Sequence, residues 1–180
     1  MNKEQFWKLI EEARAQEPDG AAGEAIAGRA SALLAVLPVA EMKAAQQTLW
    51  DLLADSYRSP LWAAAYLING GCSDDGFDYF RGWLILQGQE VFDRVLADPD
   101  ALAALPEVRG AARAGEELEC EQALALVWHA HRARTGTDLP AGTCTIRYPA
   151  LDPAWDFDFD DTAELARRLP ALSALYAVPA

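Results

Sequence analysis

The chain has 180 residues, of which 52% are hydrophobic and 24% are charged, and its formal net charge at pH 7 is −13. This composition is typical of a folded protein rather than a disordered or fibrous one, and the length fits one domain over residues 1–180. The negative charge opposes binding to nucleic acids and to anionic membranes, so neither partner is expected. A basic protein is the partner that the charge favours, and a well-solvated acidic surface without a partner is the simpler alternative.

The N-terminal sequence MNKEQFWKLIEEAR is charged and amphipathic, and it lacks the apolar centre of a secretion signal. Because the apolar runs are also too short for a membrane span, we expect a cytoplasmic protein. The three cysteines, Cys72, Cys120 and Cys144, are odd in number and widely separated. The sequence therefore predicts reduced thiols, with no metal and no cofactor.

The first half of the chain predicts helices in close succession. Apolar residues at helical spacing predict a first helix over residues 2–16, which the stretch EPDGAAGE ends. An alanine-rich stretch predicts a second helix over residues 25–37, and a wide apolar face predicts a third over residues 41–58. Pro60 suits the first turn of a fourth helix, and Gly70 suits its C-terminal cap.

The second half predicts shorter helices and one irregular region. QEVFDRVLADPD and PDALAALPEVRG predict short helices, and residues 116–134 predict a long one. Residues 138–153 are rich in Pro, Gly and Thr, and their β-like run TCTIRY is too short to predict a sheet. Asp161 and Glu164 have capping-box spacing and predict a last helix that stops at Pro170. The predicted fold is all-α, a compact single-domain bundle of about seven helices with an extended acidic C-terminal strap.

The densest stretch is NGGCSDDGFDYFRGWLILQG, which follows the predicted fourth helix. Ser73 suits the N-cap of a fifth helix, and Asp74 and Asp75 in its first turn favour the positive end of the helix dipole. Asp78 and Arg81 lie on the same face as Asp74, so a local ladder of ion pairs is expected. Because this helix is apolar on most of its surface, a buried charge on it needs a partner.

The same five residues are also a candidate binding site or active site. Two carboxylates at Asp74 and Asp78 could act as acid, base or metal ligands beside the flexible Gly-Gly turn, while Arg81 holds an anion. However, a helix start repels cations, and no second acidic helix can be assigned to meet this one. The sequence therefore favours capping and packing, and it assigns no catalytic residue.

The stretch DPAWDFDFDD alternates acids with aromatic residues. It is not an EF-hand loop, because counting from Asp156 puts Asp161 where glycine is needed and Arg167 where a bidentate glutamate is needed. In an extended segment, aromatic side chains would face the core and aspartates would face water. This predicts an acidic edge formed by Asp156, Asp158 and Asp160. The edge could contact a basic partner or weakly hold a cation, and a merely solvated edge is the simpler alternative.

Two stretches resemble a known family. FWKLIEEAR near the N-terminus and LWAAAYLINGGCSDDGFDYFRGWLILQGQEVFDRVLADPD are similar to the bacterial family named domain of unknown function 4240. The resemblance covers residues 1 to about 136, with its central motif at residues 61–88. It implies a small, bacterial, intracellular, helical domain, and the family supplies no activity from which catalytic residues could be transferred.

Together these observations predict a non-catalytic acidic protein that acts by binding another protein. Its contact surfaces are expected at the acidic edge and at the EELECE start of the long helix, and an immunity or anti-toxin role is one concrete form. The alternative is a small-ligand-binding protein or an enzyme with its site at Asp74, Asp78 and Arg81. The sequence does not predict an oligomeric state.

Overall fold

The computed structural model describes residues 1–18 and 20–177, which form ten α-helices, two 3-10 helices and no strand. The all-α prediction is confirmed, and the prediction of about seven helices is wrong. Pro99, Pro106 and Pro170 each begin a separate short helix, because proline lacks an N–H and fits only the first turn. Asp19, in the predicted break EPDGAAGE, and the last three residues of the predicted domain lie outside the described residues.

As far as residue 135, the helices succeed one another along the chain with short connections. No helix of the described residues has the length and apolar character to cross a lipid bilayer. The 3-10 helices span Pro99–Ala104 and Pro153–Trp155. The α-helices are α1 (Lys3–Ala15), α2 (Gly23–Ala35), α3 (Val39–Asp55), α4 (Ser59–Asn69), α5 (Asp74–Leu86), α6 (Gln89–Ala97), α7 (Pro106–Ala114), α8 (Glu121–Thr135), α9 (Thr162–Arg168) and α10 (Pro170–Tyr176).

One hydrophobic core joins the described helices, and α5 lies at its centre. Most of α5 is buried, including its rings Phe77 and Phe80 and the aliphatic run that ends it. Gly82 lets α8 approach closely, since a Cβ at this position would lie 2.8 Å from the main-chain oxygen of Cys120. The packing of α5 therefore fixes where its polar residues emerge.

The helix-end signals read from the sequence are confirmed around this core. Asn2 and Gln5 form a reciprocal capping box at the start of α1. Gly70 ends α4 in the left-handed region, at φ 66°, which glycine adopts without steric cost. Ser73 caps α5, and its hydroxyl accepts the N–H of Gly76 at 3.1 Å.

The long helix begins later than the sequence predicts. α8 starts at Glu121 rather than at residue 116, and residues 116–120 form an irregular segment before it. Gly115 ends α7 in the left-handed region, at φ 69°. The N–H of Cys120 then donates to the main-chain oxygen of Tyr79 at 3.0 Å. This bond ties the segment to α5, so its glutamates precede the helix instead of forming its first turns.

The C-terminal region folds back onto the preceding helices. Asp161 caps α9 and accepts the N–H of Glu164 at 3.0 Å, as its spacing predicts. The helix α10 is not predicted from the sequence, and its start is held by a distant carboxylate. Asp100 accepts the N–H groups of Ala171 and Leu172, each at 2.9 Å. A residue about seventy positions earlier thus supplies the cap that the local sequence lacks.

The extended acidic strap that the sequence predicts near the C-terminus is not confirmed. The segment contains the 3-10 helix Pro153–Trp155 and a turn before α9, so it is irregular rather than extended. Its side chains nevertheless alternate in exposure. The aromatic residues Trp155, Phe157 and Phe159 are half-buried against the core, and the aspartates Asp156, Asp158 and Asp160 are exposed.

Candidate functional site

Arg81 is a buried charged side chain at the centre of the molecule, with 1% of its surface exposed. Its Nε donates to the main-chain oxygen of Phe77 at 3.3 Å. Its two terminal nitrogens donate to the main-chain oxygen of Leu53 and to the carboxylate of Asp78. All three nitrogens therefore have acceptors, and we call this arrangement the arginine clasp.

The bond to Leu53 joins α5 to the end of α3. Leu53 lies in the last turn of α3, where carbonyl groups have no partner within the helix and the helix dipole is negative. A guanidinium placed there satisfies a main-chain acceptor and supplies the favourable charge. Arg81 therefore adds to the local cap of α3, because the hydroxyl of Ser56 also donates to the main-chain oxygen of Leu53, at 3.1 Å.

Aromatic rings enclose the guanidinium. The Cζ atom of Arg81 lies 5.0 Å from the ring centre of Tyr57 and 4.7 Å from that of Phe77, within the range of cation–π attraction. Trp62 stacks on Phe77 with ring centres 4.7 Å apart and planes at 14°. The indole N–H of Trp62 donates to the main-chain oxygen of Cys72 at 3.0 Å. The rings thus bind α4, α5 and the turn between them into one unit.

The irregular C-terminal region completes the clasp. The hydroxyl of Tyr148 lies 3.4 Å from the second carboxylate oxygen of Asp78, and its ring packs 5.1 Å from Tyr57. Burial raises the pKa of Tyr148, and the negative charge of Asp78 adds to the rise. Next to it, Arg147 pairs with Asp51 of α3 at 2.9 Å. Asp78 is therefore held between a cation and a neutral phenol.

The clasp changes how the five candidate residues are interpreted. The structure brings Asp78 and Arg81 together but leaves Ser73, Asp74 and Asp75 exposed, and Asp74 forms no salt bridge in the part of the chain that the structure describes. Burial lowers the pKa of Arg81, while Asp78 opposes that effect. Because Arg81 is buried and its nitrogens are engaged, it offers no surface to an anion. The geometry favours packing for this pair.

The structure also supplies the second acidic element that the sequence did not assign. The segment before α8 lies against the start of α5: an oxygen of Glu119 is 3.1 Å from where a Cβ on Gly76 would lie. Burial raises the pKa of Cys72 to about 12, with Glu119 as the next cause. The motif SDDGF and the motif EELECE are therefore neighbours on one surface.

Tyr79 belongs to the same surface, because its main-chain oxygen accepts the N–H of Cys120. Its pKa is raised, first by the charge of Glu121 and then by burial, with further contributions from Asp75 and Glu119. The pKa of Glu119 is itself raised by burial and by the charge of Glu117. The carboxylates responsible belong to α5 and to the stretch that runs into the first turn of α8, and the hydrogen bond from Cys120 to Tyr79 joins these two elements. We call this surface the acidic patch, formed by Asp74, Asp75, Glu117, Glu119 and Glu121.

The acidic patch is a broad charged surface rather than a metal centre. In residues 1–18 and 20–177 no group of three or more His, Cys, Asp or Glu side chains could hold a metal ion. The sequence missed the patch because its halves are about forty residues apart and meet only in the folded chain, through contacts such as the hydrogen bond from Cys120 to Tyr79. No local pattern reports such a contact.

The predicted acidic edge is partly engaged with α4. Asp160 accepts a hydrogen bond from the hydroxyl of Tyr66 at 2.7 Å, and Asp158 accepts the N–H of Asp160 at 3.0 Å. Asp156 is exposed beside them. The edge is therefore less free to contact a partner than the acidic patch.

A family model described as "Protein of unknown function (DUF4240)" matches residues 1–133 of the chain. The chain belongs to this family. The match confirms the resemblance. The matched region includes most of the arginine clasp and the whole acidic patch, whereas Tyr148 and the acidic edge lie after it. Comparison with curated proteins found no match, and neither did comparison with solved structures.

Proposed function

We propose that this DUF4240 protein is a non-catalytic protein-binding module whose partner is a basic protein, and that the acidic patch is its contact surface. The observation that carries the proposal is the contact between the two acidic motifs: an oxygen of Glu119 lies 3.1 Å from the Cβ position of Gly76, and the N–H of Cys120 donates to the main-chain oxygen of Tyr79. Neutralisation of a toxic basic protein, as an immunity or anti-toxin protein performs it, is the concrete form of this role. A cytoplasmic location is part of the proposal.

Electrostatics supports a cationic partner at this surface. Like charges held together by the fold repel one another, and a basic surface placed over them relieves that repulsion and steers association. Burial raises the pKa of Glu119, and the like charge of Glu117 raises it further. A bound cationic group would lower this pKa, so binding and ionisation of Glu119 would support each other.

The proposal is tested by capture from a lysate of the native cells with the full-length chain as bait, at low and at high salt. The patch variant carries Asp74→Asn, Asp75→Asn, Glu117→Gln and Glu121→Gln. The matched control variant loses the same amount of charge at exposed acids elsewhere, through Glu12→Gln, Glu90→Gln, Asp93→Asn and Asp138→Asn. Circular dichroism melts confirm first that both variants fold.

We expect a basic protein to be retained at low salt by the wild type and the control variant, and to be released at high salt. The patch variant should retain much less of it. Equal retention by the patch and control variants would show that net charge, and not this surface, is responsible. For the immunity form, expression of the captured protein should arrest growth, and co-expression of this chain should restore it; a harmless partner would exclude that form.

A further inference from the structure

A cavity of about 450 Å³ opens where the C-terminal region crosses α4, and none of the acidic patch residues lines it. Its wall includes four aromatic rings and two exposed carboxylates, and no residue of this wall is basic among those the structure describes. The rings belong to Trp62, Trp155, Phe157 and Phe159, and the carboxylates to Asp152 and Asp156.

Two of these rings already stack on a guanidinium. The Cζ atom of Arg168 lies 4.6 Å from the ring centre of Trp155 and 4.9 Å from that of Phe157. Glu164 fixes Arg168 there, accepting from its Nε at 2.7 Å. The chain therefore contains an internal arginine bound by aromatic rings and a carboxylate. Arg168 does not line the cavity, and the other two rings of the wall, with the two carboxylates, offer a similar combination of groups to a second cation.

The chemistry of the wall selects among cations. A guanidinium is planar and weakly hydrated, so it stacks on rings and still donates hydrogen bonds to carboxylates, whereas an ammonium is compact and strongly hydrated. Asp156 is exposed, and one oxygen of Asp152 accepts the N–H of Ala154 at 2.9 Å. Rings with carboxylates at the opening thus favour arginine over lysine and over an uncharged group.

We propose that this cavity binds an arginine side chain presented on the surface of a basic partner protein. The inference rests on the proposed function only for the source of the arginine, and the cavity is separate from the acidic patch. Aromatic surface buries the flat faces of the guanidinium, and Asp156 compensates its charge. The cavity would then give the partner one fixed anchor beside the broad attraction of the patch.

The test is a titration of the full-length protein with N-acetyl-arginine methylamide, followed by nitrogen–proton NMR of the six tryptophan indoles. Trp62 and Trp155 line the cavity, so their signals should shift and saturate, and the other four should not. Trp155→Phe assigns one of the two signals. The matched probe is N-acetyl-citrulline methylamide, which has the same shape without the charge, and we expect no saturable shift with it.

Charge variants complete the test. Asp156→Asn should weaken the arginine probe about threefold or more, the loss expected for an exposed ion pair. Asp158→Asn is the control, because this exposed residue has the same charge two positions away and does not line the cavity. Equal binding of citrulline, equal effects of the two variants, or a shift without saturation would overturn the inference. The two tests are independent: a negative titration would not change the outcome of the lysate capture, and a negative capture would not change the outcome of the titration.

Discussion

Arg81 of α5 donates a hydrogen bond to the main-chain oxygen of Leu53, so a side chain from one helix closes the carboxyl end of another. The same guanidinium pairs with Asp78, and Asp78 lies within reach of the Tyr148 hydroxyl. Three separate segments of the chain thus meet at one charge. The arginine clasp answers why a largely apolar helix carries an acid and a base three residues apart.

Replacing Arg81 should destabilise the protein strongly. Arg81→Met removes the charge that Asp78 and the end of α3 require, and loss of one partner of a buried pair costs about 3 kcal/mol or more. Arg81→Lys should recover little, because an ammonium cannot reach three acceptors in the directions that the planar fork serves. Urea denaturation measures both changes. Arg113→Met is the matched control, since Arg113 is exposed on α7; a similar loss there would contradict the special role of Arg81.

Asp74 and Asp78 of the SDDGFD motif should differ in their contribution to stability. Asp78→Asn keeps an acceptor for Arg81 but leaves its buried charge uncompensated, which we expect to cost about 2 kcal/mol. Asp74→Asn removes only a charge in the first turn of an exposed helix start, worth about 0.5 kcal/mol. Thermal melts of the two variants test this order. If Asp74→Asn proved the more damaging change, the clasp would not be the main role of these acids.

Replacing Gly82 by alanine should destabilise the protein. A Cβ at Gly82 would lie 2.7 Å from a methyl group of Leu124 and 2.8 Å from the main-chain oxygen of Cys120, so Gly82→Ala should push α5 and α8 apart at a cost of about 1–3 kcal/mol. Gly110→Ala in α7 is the control, because nothing lies within 4 Å of its Cβ position. There alanine should stabilise the helix by up to about 1 kcal/mol. The urea midpoint should fall for Gly82→Ala and rise for Gly110→Ala, and a rise for Gly82→Ala would contradict the close packing of α5 against α8.

The thiols should react slowly while the protein is folded. Burial raises the pKa of Cys72 to about 12 and that of Cys120 to about 11, and only the thiolate is a good nucleophile. We expect alkylation by iodoacetamide at pH 8 to be slow in buffer and fast in urea, as followed by mass spectrometry. Rapid modification of Cys72 in the folded state would contradict this, because its carboxylate neighbours disfavour the thiolate.

Acid should remove one electrostatic contribution of α9. Hydrogen bonds from Arg167 and Arg168 lower the pKa of Glu164 to about 2, against an ordinary value of 4.5. Because the folded-state pKa is the lower one, this contribution to stability is present at neutral pH and is lost as the pH falls from 4.5 towards 2. Glu164→Gln should therefore melt earlier than the wild type at pH 7, and the gap should narrow towards pH 3. A difference in melting temperature that grows on acidification would contradict the lowered pKa of Glu164. Added salt should reduce the difference at pH 7, because it screens exposed charges.

Local signals in the sequence predicted local structure well. The cap at Ser73 and the left-handed end at Gly70 follow from residue chemistry within one turn, and both were confirmed. The start of α8 and the existence of α10 were missed, because each is decided by a distant partner. Tyr79 holds the segment before α8, and Asp100 caps α10. Helical propensity carries no information about such contacts.

The same distinction separates the predictable and unpredictable parts of the candidate site. The pairing of Asp78 with Arg81 follows from helical spacing, but the acceptor at Leu53 does not. The acidic patch could not be predicted from the sequence, since its two motifs belong to elements that only tertiary structure brings together. The basic partner stays a prediction, as does the acidic edge as its contact.

The boundary of the family is not the boundary of the folding unit. The matched region stops at residue 133, within α8. Residues beyond it supply the phenol near Asp78 and the ring of Phe159 beside Tyr66, and α10 engages the carboxylate of Asp100. A chain cut at that boundary would expose aromatic surface to water and leave Asp100 without its helix. Shortened versions of this protein should therefore aggregate, and relatives that lack a similar C-terminal region must cover the same surface by other means.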